Sequence, residues 1–537
     1  MKPERRGLFL VVTVIALSAA LGAIYGPNVR ATSSSIGDAR TSVRDLTRVL
    51  DIVQSNYAEP VDADKLIYQG AIPGMLRVLD PHSSFFDARQ WALNQEDRSG
   101  RYYGVGMTVV PRGDRTVVMA PYLGAPAYTA GIRPGDVIKK IDDKSTDGMN
   151  TTEIADQLRG ARGTVVKITV AREGYADALD FTVKRDEIPH HTVDLAFEIK
   201  PGIGYIKLSG FNETTDRELG EALKSLNAAS LDGLVLDMRG NPGGLLNEAI
   251  AVGDMLLDKN QLIVSQHGRS SPERRYYALR GNQGDNMPLV ILVNNNSASA
   301  TEIVSGAVQD HDRGIIVGQT TFGKGLVQVL QPLSENTGLA LTIARYYTPS
   351  GRLIQRDYKS VSLYAYHYER KVPEHPTEVR LTDSGRQVTG GGGITPDISV
   401  SEPELNHFQK TMLGAGVFFP FDGSVGEFTL HYLGTRPVIA KDFEASDGLM
   451  ADFRKFLAGH NVHYTETELT ENLDWVKRKI KQEVFVSTFG QQEGFKVQLG
   501  IDPQVLKAIE AVPQARALYE NARKIVAERI GTPNYRP

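Results

Sequence analysis

The second half of the chain alternates short apolar runs with helical patterns. Several of the runs are apolar at consecutive positions, which is typical of strands buried on both faces of a parallel sheet. The segments with a strand pattern are 203–208, 233–237, 289–293, 315–317 and 339–343. Helices are predicted at 245–257 and directly after residue 299. This alternation predicts an α/β layer arrangement from about residue 188 onward.

Two of these strands run into turns made of small and polar residues. The strand at 233–237 leads into Gly243-Gly244, and the strand at 289–293 leads into a serine-rich turn around Ser299. Active sites of α/β sheets gather at the carboxyl ends of the strands. Both turns are therefore expected to lie in one site.

A lysine flanked by glycines follows the serine-rich turn. Ser299 and Lys324 would suffice for a protease without histidine, provided that the lysine is held neutral so that it can accept the serine proton. Apolar neighbours such as Phe322 and Leu326 indicate that the amine is buried. Burial would lower its pKa from about 10.4 toward neutrality.

Composition excludes several classes of function. The 537 residues predict more than one domain, and 41% apolar content allows large cores. A net charge of −4 without a basic stripe argues against nucleic-acid binding. The absence of cysteine excludes disulfides and a cysteine nucleophile. We find no metal-ligand spacing and no phosphate or dinucleotide fingerprint, so we expect neither a metal nor a cofactor.

The first residues have the pattern of an export signal. Lys2, Arg5 and Arg6 precede an apolar run at 7–25, which is long for a signal peptide and about the length of a short membrane span. Cleavage of residues 1–32 and their retention as an anchor both remain open. Either way the body is expected outside the cytoplasm, in the periplasm or on the outer face of the cytoplasmic membrane, with membrane contact only through this segment.

Residues 96–187 form a separate predicted module. The stretch from Ala130 to Ile138, Ala-Gly-Ile-Arg-Pro-Gly-Asp-Val-Ile, resembles the most specific part of a PDZ domain, a small β-sandwich with helices. A glycine loop at 104–107 can turn several N–H groups toward a carboxylate, and the adjoining strand edge can pair with an extended peptide. The predicted peptide-binding residues are Gly104, Val105, Gly106, Met107, Ile154 and Leu158. For Ile154 and Leu158, packing in the module's own core remains an alternative.

Three further segments carry a family resemblance. Together with the PDZ-like stretch, they are similar to the core motifs of the C-terminal processing (tail-specific) serine proteases, over roughly residues 40 to 400. The matching segments are 237–244, 297–302 and 321–328, with additional matches at 79–83, 346–352 and 393–397. Several motifs in the expected order are far more specific than any one of them.

The resemblance assigns roles to particular residues. It implies Ser299 as the nucleophile, Lys324 as the base, and Gln328 as the group that orients the lysine amine. Gln328 as an ordinary surface residue of a strand remains the alternative. The motif usually has serine where this chain has Thr301, and we expect both Ser297 and Thr301 to cap the following helix.

Acyl transfer also requires donors for the developing oxyanion. The N–H of Ala300 lies at a helix start directly after the nucleophile, and a second N–H should come from the glycine turn. We favour Gly243, although Gly244 is not excluded. His82 follows Asp80 and invites comparison with a Ser-His-Asp triad, but Asp-Pro-His-Ser is more typical of a turn.

The resemblance implies a crotonase/ClpP-like ββα core with an inserted PDZ domain and helical N- and C-terminal regions. The expected regions are a signal peptide or anchor (1–32), a helical region (37–95), a PDZ domain (96–187), a catalytic core (188–400) and a mainly helical extension (401–537). The extension could serve oligomerisation or partner docking, or it could simply pack against the core.

These patterns predict a serine endopeptidase with a Ser-Lys dyad whose PDZ domain recognises polypeptide C-terminal tails. Expected partners are unfolded or flexible C-termini, an adaptor protein and further copies of the chain, but no nucleic acid. One alternative is a catalytically inactive PDZ scaffold that binds peptides in the cell envelope. Another is a crotonase-like enzyme acting on acyl-thioesters.

Overall fold

A computed structural model describes residues 34–172, 174–283, 286–369, 378–418, 425–435 and 440–531. The chain divides into two compact units, residues 1–79 and residues 80–537. The apolar run at 7–25, on which the export prediction rests, lies outside the described residues. Within the described residues, no helix combines the length and apolar character needed to cross a bilayer.

The first unit is helical where it is described. Its elements are α1 (Ser34–Asn56), α2 (Ala63–Lys65), a π-helical segment (Leu66–Ala71) and α3 (Ile72–Arg77). Asp62 caps α2 by accepting from the N–H of Asp64. Pro73 lies near the start of α3, directly after the π-helical segment with which the helix is continuous. The apolar stripe of α1 is largely solvent-exposed, including Val43 and Leu46.

The second unit begins with elements that lead into the PDZ-like module. They are β1 (Ser84–Phe86), α4 (Ala88–Ser99) and β2 (Arg101–Gly104). The chain leaves the module through β9 (Asp186–Pro189), which pairs antiparallel with β2. Entry and exit therefore lie side by side, as expected for an inserted domain.

The module itself is a strongly bent antiparallel sheet with two helices. Its elements are β3 (Met107–Arg112), β4 (Arg115–Pro121), α5 (Pro126–Thr129), β5 (Val137–Ile141), β6 (Lys144–Ser145), α6 (Thr151–Leu158), β7 (Val165–Ala171) and β8 (Leu179–Lys184). The strand order is β3-β4-β5-β7-β8, with β6 paired to β5. Alternate residues Val166, Ile168 and Val170 of β7 are fully buried in its core, as the period of a strand requires.

A six-stranded sheet forms the centre of the unit. Its strands are β10 (Val193–Lys200), β11 (Ile203–Leu208), β12 (Gly233–Asp237), β15 (Leu289–Val293), β16 (Gly314–Gly318) and β21 (Ile398–Ser399). They are ordered β10-β11-β12-β15-β16-β21, and all neighbours from β11 onward are parallel. The carboxyl ends of β12 and β15 therefore meet at one edge, which brings their two special turns together.

Helices cover both faces of this sheet. One face packs on α7 (Thr215–Ser225), α8 (Leu246–Leu256) and α9 (Ala300–Asp310). The other packs on α16 (Pro503–Gly531), the last helix of the chain. Leu234 and Leu236 face the first layer, whereas Val235 faces the second. This explains why the strand is apolar at every position, and the observed class is α/β, as predicted.

The unit contains a second, five-stranded sheet. Its strands are β13 (Leu262–Gly268), β14 (Ser271–Tyr277), β17 (Leu326–Pro332) and β18 (Gly338–Tyr347) together with β1. The hairpin β19 (Glu378–Leu381) and β20 (Gln387–Gly390) stands apart, after a π-helical segment at Ala365–Glu369. Because β17 begins two residues after Lys324, this sheet fixes the direction of the lysine segment.

The remaining helices build a cluster of their own. They are α10 (His407–Gly414), α11 (Glu427–Thr435), α12 (Asp447–Gly459), α13 (Glu466–Glu471), α14 (Leu473–Phe489) and α15 (Gln491–Leu499). Phe453 is fully buried there between Phe418 and Phe428. The extension thus has a separate aromatic core, while α16 belongs to the core of the central sheet.

The packing of α16 on the sheet can be tested with Val512, which contacts the position of Gly233 and is buried. Val512→Ala removes two buried methyl groups, so we expect the free energy of unfolding to fall by about 2 kcal/mol. Gln514→Ala, on the exposed side of the same helix, should leave it unchanged. Chemical denaturation followed by circular dichroism measures both, and equal effects would show that α16 is not part of this core.

Candidate active site

The two special turns contact each other directly. Gly243 adopts a φ of 95°, and a Cβ atom at this position would lie 2.7 Å from the carbonyl oxygen of Ala298 and 2.8 Å from Ser299 Cβ. Only glycine therefore allows this conformation and this approach. The prediction that both turns meet in one place is confirmed by these distances.

Hydrogen bonds lock the two turns together. The carbonyl of Asn241 accepts from the N–H of Ala298 and from Thr301 Oγ1, both at 3.0 Å. Ser297 Oγ donates to the carbonyl of Met238 at 2.8 Å. Ser297 and Thr301 are thus cross-braces between the turns rather than the helix caps that the sequence suggested. The sequence carried no signal for this, because the partners lie about sixty residues away.

Ser299 has an unusual backbone. Its φ of 55° and ψ of −114° lie in a region that residues with a side chain rarely adopt, and α9 begins at the next residue. Such strained turns between a strand and a helix project a nucleophile away from the sheet. Ser299 is half-buried and lines a cavity of about 760 Å³.

Lys324 lines the same cavity. Its Nζ donates to Gln328 Oε1 at 3.0 Å. Burial lowers the pKa of the ammonium from its usual 10.5, against the opposing effect of the Glu302 and Asp80 carboxylates. Among the described residues the hydrogen-bond partner of the amine is Gln328 and not the Ser299 hydroxyl. The structure therefore brings Ser299, Lys324 and Gln328 to one cavity, with the amine held by the glutamine.

Gln328 is oriented by a group that the sequence analysis did not identify. Its Nε2 donates to the carbonyl oxygen of His82 at 2.6 Å, which leaves Oε1 as the atom that faces Lys324. The carbonyl thus decides which end of the glutamine amide meets the lysine. No sequence pattern could have shown this contact, since it joins two segments 246 residues apart.

The His82 side chain points elsewhere. Its Nε2 lies 2.9 Å from the Tyr366 hydroxyl, and burial together with the nearby Lys324 ammonium lowers its pKa to about 3. Asp80 Oδ1 accepts from the N–H groups of His82 and Ser83, and Ser83 Oγ donates to Asp80 Oδ2. The segment is a turn, as predicted, and it holds the carbonyl that orients Gln328.

Glu302 is the most extensively bonded side chain of the site. Its Oε1 accepts from Thr321 Oγ1 and from the N–H of Gly323, and its Oε2 accepts from the N–H groups of Ser299 and Lys324. The carboxylate is completely buried, and burial raises its pKa although all four hydrogen bonds oppose that shift. One carboxylate therefore holds both the serine and the lysine segments.

The donors at the glycine turn differ from the prediction in one respect. The N–H of Gly243 already donates to Asn241 Oδ1 at 2.9 Å. Among the described residues, the N–H groups of Gly244 and Ala300 have no acceptor, and both residues line the cavity of Ser299. Gly244 is thus the open donor of this turn, while Ala300 keeps the place that was predicted for it.

The predicted peptide groove is a second, smaller cavity of about 290 Å³. Four of the six predicted residues line it: Val105, Gly106, Met107 and Leu158. Ile154 does not, because its side chain is 1% exposed and packs in the core of the module. Gly104 is covered by the ring of Tyr102. Asp97 and His190 line both this groove and the cavity of Ser299, so the two openings share a wall.

Within the described residues, no group of three or more histidine, aspartate or glutamate side chains is arranged to hold a metal ion.

Family models match three parts of the chain. The model of peptidase family S41 matches residues 202–361, and a PDZ domain model matches residues 117–172. The model of the activating protease CtpB N-terminal domain matches residues 19–90.

Individual proteins match the chain over a longer continuous stretch than any of the family models does. The carboxy-terminal-processing protease of Bartonella bacilliformis is 39% identical over 358 residues, which cover 65% of this chain and 80% of that protein. The chain belongs to the carboxy-terminal-processing protease family. The Bacillus subtilis carboxy-terminal processing protease CtpA is 34% identical over 356 residues, covering 65% of this chain and 75% of its own. The resemblance inferred from the motifs is confirmed, and this family member is a serine-type peptidase with a PDZ domain.

A solved structure, titled photosystem II D1 C-terminal processing protease, is 29% identical and covers 66% of this chain and 86% of its own. Its TM-score is 0.35. The assignment to the family rests on the sequence relatives and not on this likeness.

The electrostatics of Lys324 give a direct test. Since the Asp80 carboxylate raises the pKa of Lys324 against burial, Asp80→Asn should lower that pKa further. The pH dependence of Lys324 acetylation by acetic anhydride, followed by mass spectrometry, measures the pKa. Asp87→Asn, which keeps the cap of α4, is the matched control and should change nothing. A pKa that rises in the Asp80 variant would contradict this description of the site.

Proposed function

We propose that the chain is a serine endopeptidase that cleaves polypeptides near their C-terminal tails, with Ser299 as the nucleophile and Lys324 as the general base. One observation carries the proposal: an amine whose pKa is lowered by burial lines the same cavity as a serine in a strained turn at a helix start. A lysine can serve as a base only when it is neutral, and a buried site favours that form.

The chemistry follows from the atoms present. The neutral Lys324 amine accepts the Ser299 proton as the oxygen attacks the scissile carbonyl. Gln328 Oε1 accepts one amine N–H, which directs the nitrogen lone pair away from the glutamine and toward the cavity. Collapse of the tetrahedral intermediate transfers the proton to the leaving amine, and an acyl-enzyme on Ser299 remains. Water, deprotonated by Lys324, then hydrolyses the ester and restores both side chains.

The developing oxyanion needs donors that are already in place. The N–H groups of Ala300 and Gly244 are the open donors next to Ser299, and we assign the oxyanion hole to them. Gly243 contributes differently, since its lack of a side chain lets the turn approach the nucleophile. Removing one such donor typically costs 10²–10³-fold in kcat.

We further propose that the PDZ domain binds the free C-terminus of the substrate. The loop at 104–107 and the residues that line its groove supply N–H groups and apolar contacts for a terminal residue. Because this groove and the catalytic cavity share Asp97 and His190, a tail bound in one continues readily into the other. The peptide's terminal carboxylate is the feature that would be recognised.

The fold of the core and the cellular setting complete the proposal. Repeated strand–helix units with oxyanion turns at the strand ends support a crotonase/ClpP-like core. The basic residues before the apolar run at 7–25 support export to the periplasm or to the outer face of the cytoplasmic membrane. Flexible polypeptide C-termini are the proposed substrates, with an adaptor protein and further copies of the chain as proposed partners.

The dyad makes a clear prediction. Ser299→Ala and Lys324→Ala should each reduce hydrolysis of an unstructured reporter polypeptide by at least about 10³-fold, since the nucleophile or its base is lost. Release of new N-termini, quantified by mass spectrometry, measures the rate. Lys359→Ala, which removes an exposed lysine outside the cavity, should retain full activity.

Other outcomes identify the alternatives. Equal activity in the wild type and in both variants would mean that Ser299 and Lys324 are not the catalytic residues. Peptide binding without any hydrolysis by the wild type would indicate an inactive PDZ scaffold. Turnover of an acyl-thioester without labelling of Ser299 by a serine-directed acylating probe would indicate a crotonase-like enzyme.

Tail recognition can be tested without changing the enzyme. A reporter with an amidated C-terminus loses the charge that the 104–107 loop would bind, so we expect kcat/KM to fall about tenfold relative to the free acid. A short peptide with both ends blocked serves as the control. Its kcat/KM should be as low as that of the amidated reporter. Identical kcat/KM values for the acid and the amide would rule out carboxylate recognition.

A further inference from the structure

The C-terminal extension reaches the catalytic turns through charged side chains. Arg239 lies at the start of the glycine turn, and its guanidinium donates to both oxygens of Asp237. Its Nη1 also donates to Asp502 Oδ2 and to Gln504 Oε1, each at 2.8 Å. Arg239 therefore joins the core strand β12 to the first turn of α16.

A second link reaches the serine turn. Asn294 Oδ1 accepts from the N–H groups of Gly240 and Asn296, so this amide connects the two turns. Its Nδ2 donates to Glu402 Oε1 at 2.8 Å. The orientation of the Asn294 amide is thus fixed from outside by a residue that follows the last strand of the sheet.

The link between Arg239 and Asp502 is largely sheltered from water, whereas Glu402 is exposed. The side chains of Arg239 and Asp502 are 13% and 16% exposed. Burial alone would lower the pKa of Arg239, but the carboxylates of Asp237 and Asp502 outweigh it and raise the pKa. A charge pair in such surroundings is screened by water far less than one on the surface.

The turn that Arg239 anchors is hydrogen-bonded to the residues around Ser299. The turn that starts at Arg239 is closed by Asn241, whose carbonyl accepts from Ala298 and whose Oδ1 accepts from Gly243. The open N–H of Gly244 follows immediately. The residue that anchors the extension and the N–H that faces the cavity of Ser299 therefore belong to one short turn, which Asn241 bonds to Ala298.

We propose that Asp502 and Glu402 are positioning residues for the reaction, acting through Arg239 and Asn294 to hold the glycine and serine turns at catalytic separation. This inference rests on the proposed function. It gives the extension beyond residue 400 a direct role in the chemistry, in addition to covering the sheet with α16. If the contacts merely anchored the helix, their loss would lower stability and leave kcat unchanged in the folded enzyme.

Asp502→Asn separates the two roles. Asp502 Oδ1 accepts from the N–H groups of Gln504 and Val505, and asparagine retains this cap. The oxygen that faces Arg239 becomes an NH₂ group, which cannot accept a hydrogen bond. We expect kcat to fall roughly tenfold with KM within about twofold of the wild type, because a displaced donor weakens binding of the transition state and not of the substrate.

Three further variants complete the experiment. Asp502→Glu keeps the charge within reach of Arg239 and should restore kcat to within about threefold of the wild type. Glu402→Ala changes an exposed residue outside any helix, so it should fold normally, and its kcat should fall severalfold. Tyr519→Phe removes a hydrogen bond from α16 to Asp258, remote from both turns, and should leave kcat unchanged.

All variants are assayed on the reporter polypeptide well below their thermal midpoints, with Ser299→Ala alongside. Full activity of Ser299→Ala would overturn the proposed function itself. An inactive Ser299→Ala together with wild-type kcat for Asp502→Asn and Glu402→Ala would overturn only the present inference. An equal loss of kcat in Asp502→Asn and Tyr519→Phe would also overturn it, since α16 would then act through general stability.

Discussion

One buried carboxylate binds both the segment that carries Ser299 and the segment that carries Lys324. Glu302 accepts from the N–H of Ser299 with the same oxygen that accepts from the N–H of Lys324. Its other oxygen accepts from Gly323 and Thr321, the residues just before the lysine. The two loops follow different strands, and the N–H of Phe322, which donates to the carbonyl of Ser297 at 2.9 Å, links them as well. Four donors on two oxygens also satisfy the desolvated charge, which a buried carboxylate requires.

The same carboxylate works against the lowering of the lysine pKa. A negative charge near Lys324 stabilises the ammonium form, and Asp80 acts in the same direction. Burial is nevertheless the larger effect, so the net shift is downward. Three backbone N–H groups and the Thr321 hydroxyl point toward the carboxylate and compensate its charge. The site thus has one anchor for both loops, while burial still lowers the pKa of the amine.

The sequence predicted those parts of the site that depend on local chemistry. The glycine at 243 could be recognised as part of the site because a positive φ and a close backbone approach allow only glycine there. The strands could be recognised because both their faces are buried, which makes them apolar at consecutive positions. Other contacts of the site could not be predicted from the sequence. They are the His82 carbonyl that orients Gln328, the hydrogen bonds of Ser297 and Thr301 to the glycine turn, and the Asn241 side chain that accepts from the N–H of Gly243. Each of these depends on a partner far away in the chain or on which of several N–H groups a side chain selects. Ile154 illustrates the limit within the PDZ module, since helical spacing shows that a residue faces inward but not whether it meets the core or a groove.

Backbone strain at Ser299 explains why so many contacts converge there. Ser299 has a positive φ outside the left-handed helical region, a conformation that costs of order 1–3 kcal/mol and persists only where its surroundings enforce it. The enforcement is visible on both sides of the residue: Ala298 is bonded to Asn241, and the N–H of Ser299 is bonded to Glu302. Asn241 in turn belongs to the turn that Arg239 connects to α16. Helix α16 therefore stands at the outer end of a continuous series of contacts that reaches the strained turn at Ser299. The extension and the central sheet thus share one network of hydrogen bonds.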